Sequence, residues 1–120
     1  MPKATVLVVE DESIVSKDIQ YSLKKLGYEV IGSSATGAKA IELALELKPN
    51  IVLMDIMLKG DINGIEASAE IKKSLNIPII FLTAYADENT LEKAKITEPY
   101  AYILKPFKEI DLHTSIEMAL

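Results

Sequence analysis

The sequence has 120 residues, a formal net charge of -5 and a pI near 4.9; all 13 basic residues are lysines, and cysteine is absent. This composition excludes disulfides, thiolate metal sites and an arginine clamp on phosphate, and its acidic balance argues against binding to nucleic acid or to an anionic membrane surface. No apolar run approaches the length of a membrane span, so we expect one cytoplasmic domain over residues 1–120 with no membrane partner.

Taken in chain order, five apolar runs typical of strands alternate with five segments of helical period. Gly27 is predicted to end the first helix and Thr36 to cap the start of the second. The predicted strands are Thr5–Val9, Tyr28–Gly32 at a sheet edge, Ile51–Asp55, Ile79–Thr83 and Tyr100–Leu104. The predicted helices are Ser13–Leu26, a second that ends before Pro49, a third with Ile65, Ala69 and Ile71 facing inward, a short and weakly amphipathic fourth over Glu88–Lys95, and Lys108–Leu120.

This alternation predicts an α/β fold, a doubly wound (βα)₅ parallel sheet covered by helices on both faces. In such sheets the functional residues collect at the carboxyl ends of the strands. The apolar run Ile51–Met54 leads directly into Asp55, and Val6–Val9 leads into Glu10 and Asp11. If the first and third strands are neighbours, these three carboxylates converge at one edge of the sheet.

A cluster of three carboxylates requires a cation, because each pair of charges about 5 Å apart repels by roughly 3 kcal/mol at an effective dielectric of about 20. Oxygen ligands without histidine or cysteine favour magnesium over zinc or copper. The alternative is that the acids only cap the next helix, an interpretation that suits Glu12 better than Asp55.

Thr83 and Lys105 follow the fourth and fifth predicted strands and so lie at the same edge. Each is an ordinary strand-end residue when considered alone. A hydroxyl and an ammonium beside an acid cluster and a central aspartate together indicate a site for a phosphorylated aspartate.

These residues, in this order, resemble the receiver domain of two-component response regulators from Val6 to the last helix. The resemblance implies a flavodoxin-like three-layer sandwich with strand order 2-1-3-4-5. It also implies a role for each motif residue: Glu10 and Asp11 as the acidic pair, Asp55 as the phosphoacceptor, Thr83 as the hydroxyl residue, Tyr102 as the switch aromatic, and Lys105 with a cis bond to Pro106. Mg²⁺ would then be bound directly by Asp11 and Asp55, through water by Glu10, and by the backbone carbonyl of Met57.

The same resemblance implies the partners and the reaction. A sensor histidine kinase would supply the phosphoryl group, and the domain would catalyse only its own phosphorylation and dephosphorylation. An output domain or protein would respond, and a homodimer could form through the fourth helix, fifth strand and fifth helix. The sequence departs from the family pattern at Glu10, where Asp is commoner, and in the loop 56–64, which lacks the usual Pro and reaches Gly64 one residue late.

Three other functions are known for related sites or folds and have to be distinguished from this one. An FMN site of the flavodoxin type conflicts with the acids Glu10 to Glu12, which would repel phosphate. A dehalogenase-like phosphatase needs a second Asp where Met57 stands. A phosphorylation-independent interaction module on the same fold remains an alternative. The single histidine, His113, is predicted to be a surface residue of the last helix.

Overall fold

The computed structural model describes residues 4–84 and 88–120, and these form alternating strands and helices. No helix in these two ranges is long and apolar enough to cross a membrane. The elements are β1 (Thr5–Val9), α1 (Ser13–Lys25), β2 (Glu29–Ser34), α2 (Gly37–Leu47), β3 (Ile51–Asp55), α3 (Gly64–Ser74), β4 (Ile79–Thr83), α4 (Glu88–Ile96), β5 (Ala101–Leu104) and α5 (Glu109–Ala119).

The strands form a parallel five-stranded sheet in the order β2-β1-β3-β4-β5, which confirms the predicted flavodoxin-like topology. Val9 of β1 is paired with Met54 of β3, so Glu10 and Asp55 are the next residues on neighbouring strands. Thr83 of β4 is paired with Leu104 of β5, the residue before Lys105. The register therefore brings the ends of four strands to one edge.

Alternate residues of each central strand face opposite helical layers, as parallel strands buried on both faces require. Val6 and Val8 join a core with α1 and α5, whereas Leu7 and Val9 join a core with α2, α3 and α4. Both faces of the sheet are therefore covered, and the three-layer sandwich is confirmed. Full burial of an aliphatic side chain contributes about 1.5–3 kcal/mol, so the buried residues of β1, β3 and β4 contribute strongly to the stability of the domain.

The ends of the first two helices agree with the sequence predictions. Gly27 follows α1 with φ 99°, in the left-handed region that glycine tolerates. Thr36 caps α2, because its side chain accepts a hydrogen bond from the backbone N–H of Lys39 at 3.2 Å. The end of α2 has a feature that the sequence did not indicate: Lys48 closes the helix in the left-handed conformation, with φ 47°.

The inward face of α3 agrees with the prediction in part, since Ile65 and Ile71 both pack against the core. Ile71 is buried as expected, but Ile65 and Ala69 are only partly buried, and the buried positions are Gly64, Ala67, Ser68 and Ile71. These four positions follow the i, i+3, i+4, i+7 spacing of one helix face, which begins at Gly64. Asn63 caps the helix just before this face, accepting from Glu66 N–H at 2.8 Å while the Glu66 carboxylate accepts from Asn63 N–H at 3.0 Å.

Two further differences concern β2 and α5. β2 extends to Ser34, beyond the predicted end at Gly32, because its pairing with β1 continues to the Val9–Ser34 pair. His113 was predicted to be a surface residue, and it is only partly exposed. Its ring is partly buried 6.3 Å from the ring of Tyr28, and its Nδ1 atom is buried without a hydrogen-bond partner in the described part of the chain.

Candidate functional site

Three carboxylates meet at the carboxyl ends of β1 and β3. Oxygen atoms of Glu10, Asp11 and Asp55 all lie within 4.8 Å of one another. Glu10 is only 2% exposed and Asp55 only 5%, while Asp11 is partly exposed. The site, called the acidic pocket below, is therefore a cluster of two buried carboxylates and one that is partly open to solvent.

Lys105 joins the two buried acids. Its Nζ atom lies 2.6 Å from Glu10 Oε1 and 3.1 Å from Asp55 Oδ2. Lys105 follows β5, which is separated from β3 by β4, so its side chain reaches across the sheet edge. The peptide bond between Lys105 and Pro106 is cis, as the resemblance implied.

Backbone groups hold the other oxygen of each buried acid. Glu12 N–H donates to Glu10 Oε2 at 3.2 Å, and Met57 N–H donates to Asp55 Oδ1 at 3.3 Å. The side chain of Met57 is itself 53% exposed, so it contributes its backbone and not its thioether to this pocket. Each carboxylate is therefore oriented by one backbone donor and by Lys105.

The pKa values of the two buried acids are shifted in opposite directions. Burial raises the pKa of Asp55, the hydrogen bond with Glu10 and the charge of Glu10 raise it further, and Lys105 offsets only part of this, leaving a pKa of about 7. For Glu10, burial raises the pKa, but hydrogen bonds from Lys105, Asp55 and the Glu12 N–H outweigh it and leave the pKa below its ordinary value. The arrangement favours a protonated Asp55 beside an ionised Glu10.

The pKa values of Asp11 and Lys105 are also shifted by their charged neighbours. Burial raises the pKa of Asp11, and the hydrogen bond and charge of Glu10 raise it further. Burial lowers the pKa of Lys105, but the two acids beside it more than compensate, and the net shift is upward. The pocket thus carries an excess of negative charge that it partly relieves by retaining protons.

Thr83 and Tyr102 lie on the β4 and β5 side of the pocket. Thr83 is fully buried, and its carbonyl accepts the backbone N–H of Lys105 at 2.8 Å. The Tyr102 ring stacks on Phe81 with 6.2 Å between centroids. The Tyr102 hydroxyl is buried, and among the described residues it has no hydrogen-bond partner.

Sequence reasoning missed the role of Gly64. A Cβ atom at Gly64 would collide with the carbonyl oxygen of Asp55, and Gly64 N–H donates to the carbonyl of Ile56 at 2.8 Å. The start of α3 is therefore packed directly against the backbone of the candidate acceptor. The Asn63-x-x-Glu66 pattern of a capping box was the signal that could have located this helix start.

The donor set of the pocket fits a hard divalent cation. It offers carboxylate oxygens from Glu10, Asp11 and Asp55, without nitrogen or sulfur ligands from histidine or cysteine. Hard cations such as Mg²⁺ and Ca²⁺ prefer such ligands. The open side at Asp11 leaves space for water or substrate.

The site lies within a stretch of the chain that matches a known protein family. The family model of the response regulator receiver domain matches residues 6–117. The chain belongs to this family. The match places the acid cluster, Thr83 and Lys105 inside a receiver domain, and the family acts in two-component signal transduction.

Individual relatives support the same assignment. The transcriptional regulatory protein PdtaR of Mycobacterium tuberculosis is 37% identical over 115 residues, which cover 96% of this chain and 56% of PdtaR. The phyllosphere-induced regulator PhyR of Methylorubrum extorquens is 33% identical over 116 residues, which cover 96% of this chain and 43% of PhyR. This receiver therefore spans about half the length of the curated relatives it matches.

A solved structure shows the same fold. The signal receiver domain of a modulated diguanylate cyclase from Desulfovibrio desulfuricans G20 has a TM-score of 0.92 and 40% sequence identity, covering 97% of this chain and 92% of that one. The structure of a DNA-binding response regulator of the LuxR family from Staphylococcus aureus has a TM-score of 0.91 at 30% identity, covering 97% of this chain and 98% of that one.

In the metal-free protein we expect the carboxyl group of Asp55 to titrate with a pKa of about 7. Between its ordinary pKa of about 3.9 and this value, the native receiver binds one more proton than the unfolded chain, so the contribution of Asp55 to the free energy of unfolding falls as pH rises through that window. Carbon-13 NMR of the Asp55 carboxyl group in EDTA measures the midpoint. Lys105→Ala should raise it, because the lysine charge favours the ionised acid. A midpoint below about 5 in the parent protein would contradict this account of the pocket.

Proposed function

We propose that this receiver accepts a phosphoryl group on Asp55 in a Mg²⁺-dependent reaction and thereby switches the surface formed by α4, β5 and α5. The observation that carries the proposal is the buried Asp55 carboxylate, held beside Glu10 and Asp11 and in contact with Lys105 at 3.1 Å. A carboxylate at the end of a central strand, with a cation beside it and an acidic pocket around it, is suited to phosphoryl transfer.

The Asp55 carboxylate would be the nucleophile. One of its oxygens attacks the phosphorus of a histidine phosphate or of a small acyl phosphate, the bond from phosphorus to the donor breaks, and the donor leaves with the bonding electrons. Met57 N–H fixes the orientation of the carboxylate through its bond to Oδ1. Holding the reacting group in one geometry removes part of the entropic cost of the reaction.

Asp11 and Asp55 would hold Mg²⁺ directly, with Glu10 behind a water molecule and Met57 providing its backbone carbonyl. The carboxylates are close enough to one another for this role, and their mutual repulsion favours a divalent cation. When bound, Mg²⁺ supplies charge neutralisation for the transferring phosphoryl oxygens.

Lys105 would bind a phosphoryl oxygen that is not bound by Mg²⁺. Its ammonium group already contacts Asp55 Oδ2, and it carries a full positive charge because the adjacent acids raise its pKa. Thr83, at the end of the neighbouring strand, would supply a hydroxyl group to the same phosphate. A preorganised donor of this kind stabilises developing charge more effectively than water does.

The switch would follow from the charge added at Asp55. Phosphorylation adds about -2 charge and three acceptor oxygens. Movement of Thr83 toward these oxygens would leave space beside β5 for the Tyr102 ring, whose buried hydroxyl has no partner among the described residues. A shift in population from 1:99 to 99:1 needs about 5.5 kcal/mol, which a few charge-assisted hydrogen bonds of about 1.5–3 kcal/mol each can supply.

The phosphoryl donor would be a sensor histidine kinase, and the switched surface would act on an output domain or protein or form a homodimer. PdtaR is named as a transcriptional regulatory protein, and the chain covers only 56% of it. PdtaR therefore contains residues in addition to the part that this chain matches. Such additional residues support the proposal of an output domain. The receiver would catalyse its own phosphorylation and the later hydrolysis, and no other reaction is proposed for it.

Mg²⁺ should bind this receiver and stabilise it by mass action, by about 2.7 kcal/mol at a hundredfold excess over Kd. Asp11→Ala should abolish the effect, because it removes a direct ligand from the open side of the cluster. Asp61→Ala, which removes an exposed carboxylate from the β3–α3 loop, is the matched control and should bind as the parent does. Isothermal titration and urea unfolding with MgCl₂ measure both quantities. Equal stabilisation of Asp11→Ala and the parent would disprove the metal assignment.

Incubation with acetyl phosphate and Mg²⁺ should add one acid-labile phosphoryl group, detected by intact-mass spectrometry. Asp55→Asn and Asp55→Ala should prevent the addition, while Asp61→Asn should not. Lys105→Ala should still bind Mg²⁺ but should be phosphorylated more slowly, on the order of a hundredfold, the usual cost of losing one preorganised donor. An adduct that persists in Asp55→Ala would refute the acceptor assignment, and the absence of any adduct in the parent would favour a phosphorylation-independent module.

Beryllofluoride, which imitates the phosphoryl group, should shift the amide resonances of Thr83, of α4 and of Tyr102. We expect the shifted resonances to extend over Thr83–Lys95, a range that includes residues 85–87, which lie outside the described residues. Thr83→Ala should weaken the shifts in α4 because the hydroxyl that links the phosphate to β4 is lost. Two-dimensional NMR with and without beryllofluoride measures this. Shifts confined to the immediate neighbours of Asp55 would contradict the switch even if phosphorylation occurs.

A further inference from the structure

The turn between β2 and α2 is bonded to both loops that carry the candidate metal ligands. On one side, the backbone N–H of Glu10 donates to the carbonyl of Ser34 at 2.9 Å. On the other side, Thr36 forms an isolated parallel bridge with Lys59 of the β3–α3 loop. The turn therefore lies between the loop that begins at Glu10 and the loop that follows Asp55.

A single side chain closes this turn. The Ser34 residue is 9% exposed; its hydroxyl donates to the carbonyl of Thr36 at 2.8 Å and accepts from Thr36 N–H at 3.1 Å. Thr36 in turn caps α2 by accepting from Lys39 N–H. The hydroxyl of Ser34 thus fixes the residue that both starts α2 and bridges to the loop.

The β3–α3 loop contacts the turn at a second point. A Cβ atom added at Gly37 would lie 2.9 Å from the carbonyl oxygen of Ile62 and 3.1 Å from Ile62 Cγ2. Between the two contact points, Gly60 adopts φ 93°, a conformation that glycine permits. The longer loop after Asp55 is therefore folded back against the start of α2.

These contacts lead directly to the candidate acceptor. Lys59, which bridges to the turn, is two residues beyond Met57, whose N–H donates to Asp55 Oδ1 at 3.3 Å. A helix cap requires only hydrogen bonds within its own turn. The contacts with Glu10 on one side and with Lys59 and Ile62 on the other exceed that requirement, and they connect the two halves of the pocket.

Resting on the proposed function, we propose that the β2–α2 turn, Ser34–Gly37, is a brace that sets the distance between the Glu10 loop and the Met57 loop. Ser34 and Gly37 are then positioning residues for metal binding and for phosphorylation of Asp55. They act through the loops they hold. Ser34 does so by closing the turn, and Gly37 by leaving room for the carbonyl of Ile62.

Two variants disturb the brace by different means. Ser34→Ala removes the hydroxyl that closes the turn, and Gly37→Ala places a methyl group against the loop while improving helix propensity. Both should raise the Kd for MgCl₂ about fivefold, the order of magnitude expected for one lost hydrogen bond or a comparable displacement. Both should lower the rate of phosphorylation by acetyl phosphate at subsaturating Mg²⁺, with the rate largely recovered at saturating Mg²⁺.

Matched controls separate positioning from stability. Thr5→Val removes a hydroxyl that, like that of Ser34, donates once and accepts one backbone N–H, here in bonds to Asn50 at the opposite edge of the sheet. Gly32→Ala adds a methyl group in contact with the side chains of Leu47 and Leu7, away from the loops. Urea unfolding should show losses of stability in the controls similar to those in the brace variants, while isothermal titration with MgCl₂ should give the Kd of the parent.

The outcomes are distinct. A raised Kd in both brace variants and a parental Kd in both controls supports the brace. Parental Kd values in Ser34→Ala and Gly37→Ala, with the parent binding Mg²⁺ and accepting phosphate, overturn the brace and leave the proposed function intact. Equal increases in Kd in the control variants also overturn it, because the effect then follows stability alone. A parent that neither binds Mg²⁺ nor accepts phosphate overturns the proposed function and the brace with it.

Discussion

The contact of one ammonium group with two buried carboxylates is the interaction on which the arrangement of this pocket depends. Glu10 and Asp55 follow neighbouring central strands, so the strand order makes their approach unavoidable. Lys105 comes from β5, beyond β4, and relieves their repulsion with contacts of 2.6 and 3.1 Å. The two acids lie at the ends of the neighbouring strands β1 and β3, and their counterion follows β5, which lies beyond β4, so the site depends on the strand order. Removing the lysine would leave two acids uncompensated in a buried setting, where such a loss is strongly destabilising.

The excess acid also links protonation to cation binding. Lys105 contacts two of the three carboxylates, and burial together with the charge of Glu10 still raises the pKa of Asp55 to about 7. A carboxylic acid is a poor nucleophile, and ligation of a metal requires the ionised form. In the proposed reaction, binding of a divalent cation and ionisation of Asp55 therefore favour each other. Asp55 would therefore become a nucleophile when the divalent cation is bound, and the same cation would neutralise charge on the phosphoryl group.

The sequence predicted the sheet and the residues at its edge because both follow from strong local patterns. Apolar runs buried on both faces end abruptly at Glu10, Asp55 and Thr83, and parallel pairing brings such ends together. The inward face of α3 could be predicted only in part from its apolar residues, because the buried stripe is formed mainly by the small residues Gly64, Ala67 and Ser68, and a Cβ atom at Gly64 would collide with the Asp55 carbonyl. The role of Ser34 was hidden for a different reason: its bonds depend on an extension of β2 along β1, and a Gly-Ser-Ser segment resembles a loop.

The two sides of the pocket differ in burial and in hydrogen bonding. This difference determines which elements would move in the proposed switch. On the β1 and β3 side, buried strands, the Asn63 cap and the contacts of the β2–α2 turn fix the loops. On the opposite side, β5 has only four residues, and among the α4 side chains that the structure describes only Ala94 is buried. An element with little buried surface has the least free energy to lose on moving. New hydrogen bonds at Asp55 would therefore be accommodated by Tyr102 of β5 and by α4, since displacement of these weakly buried elements costs less than displacement of the loops on the β1 and β3 side.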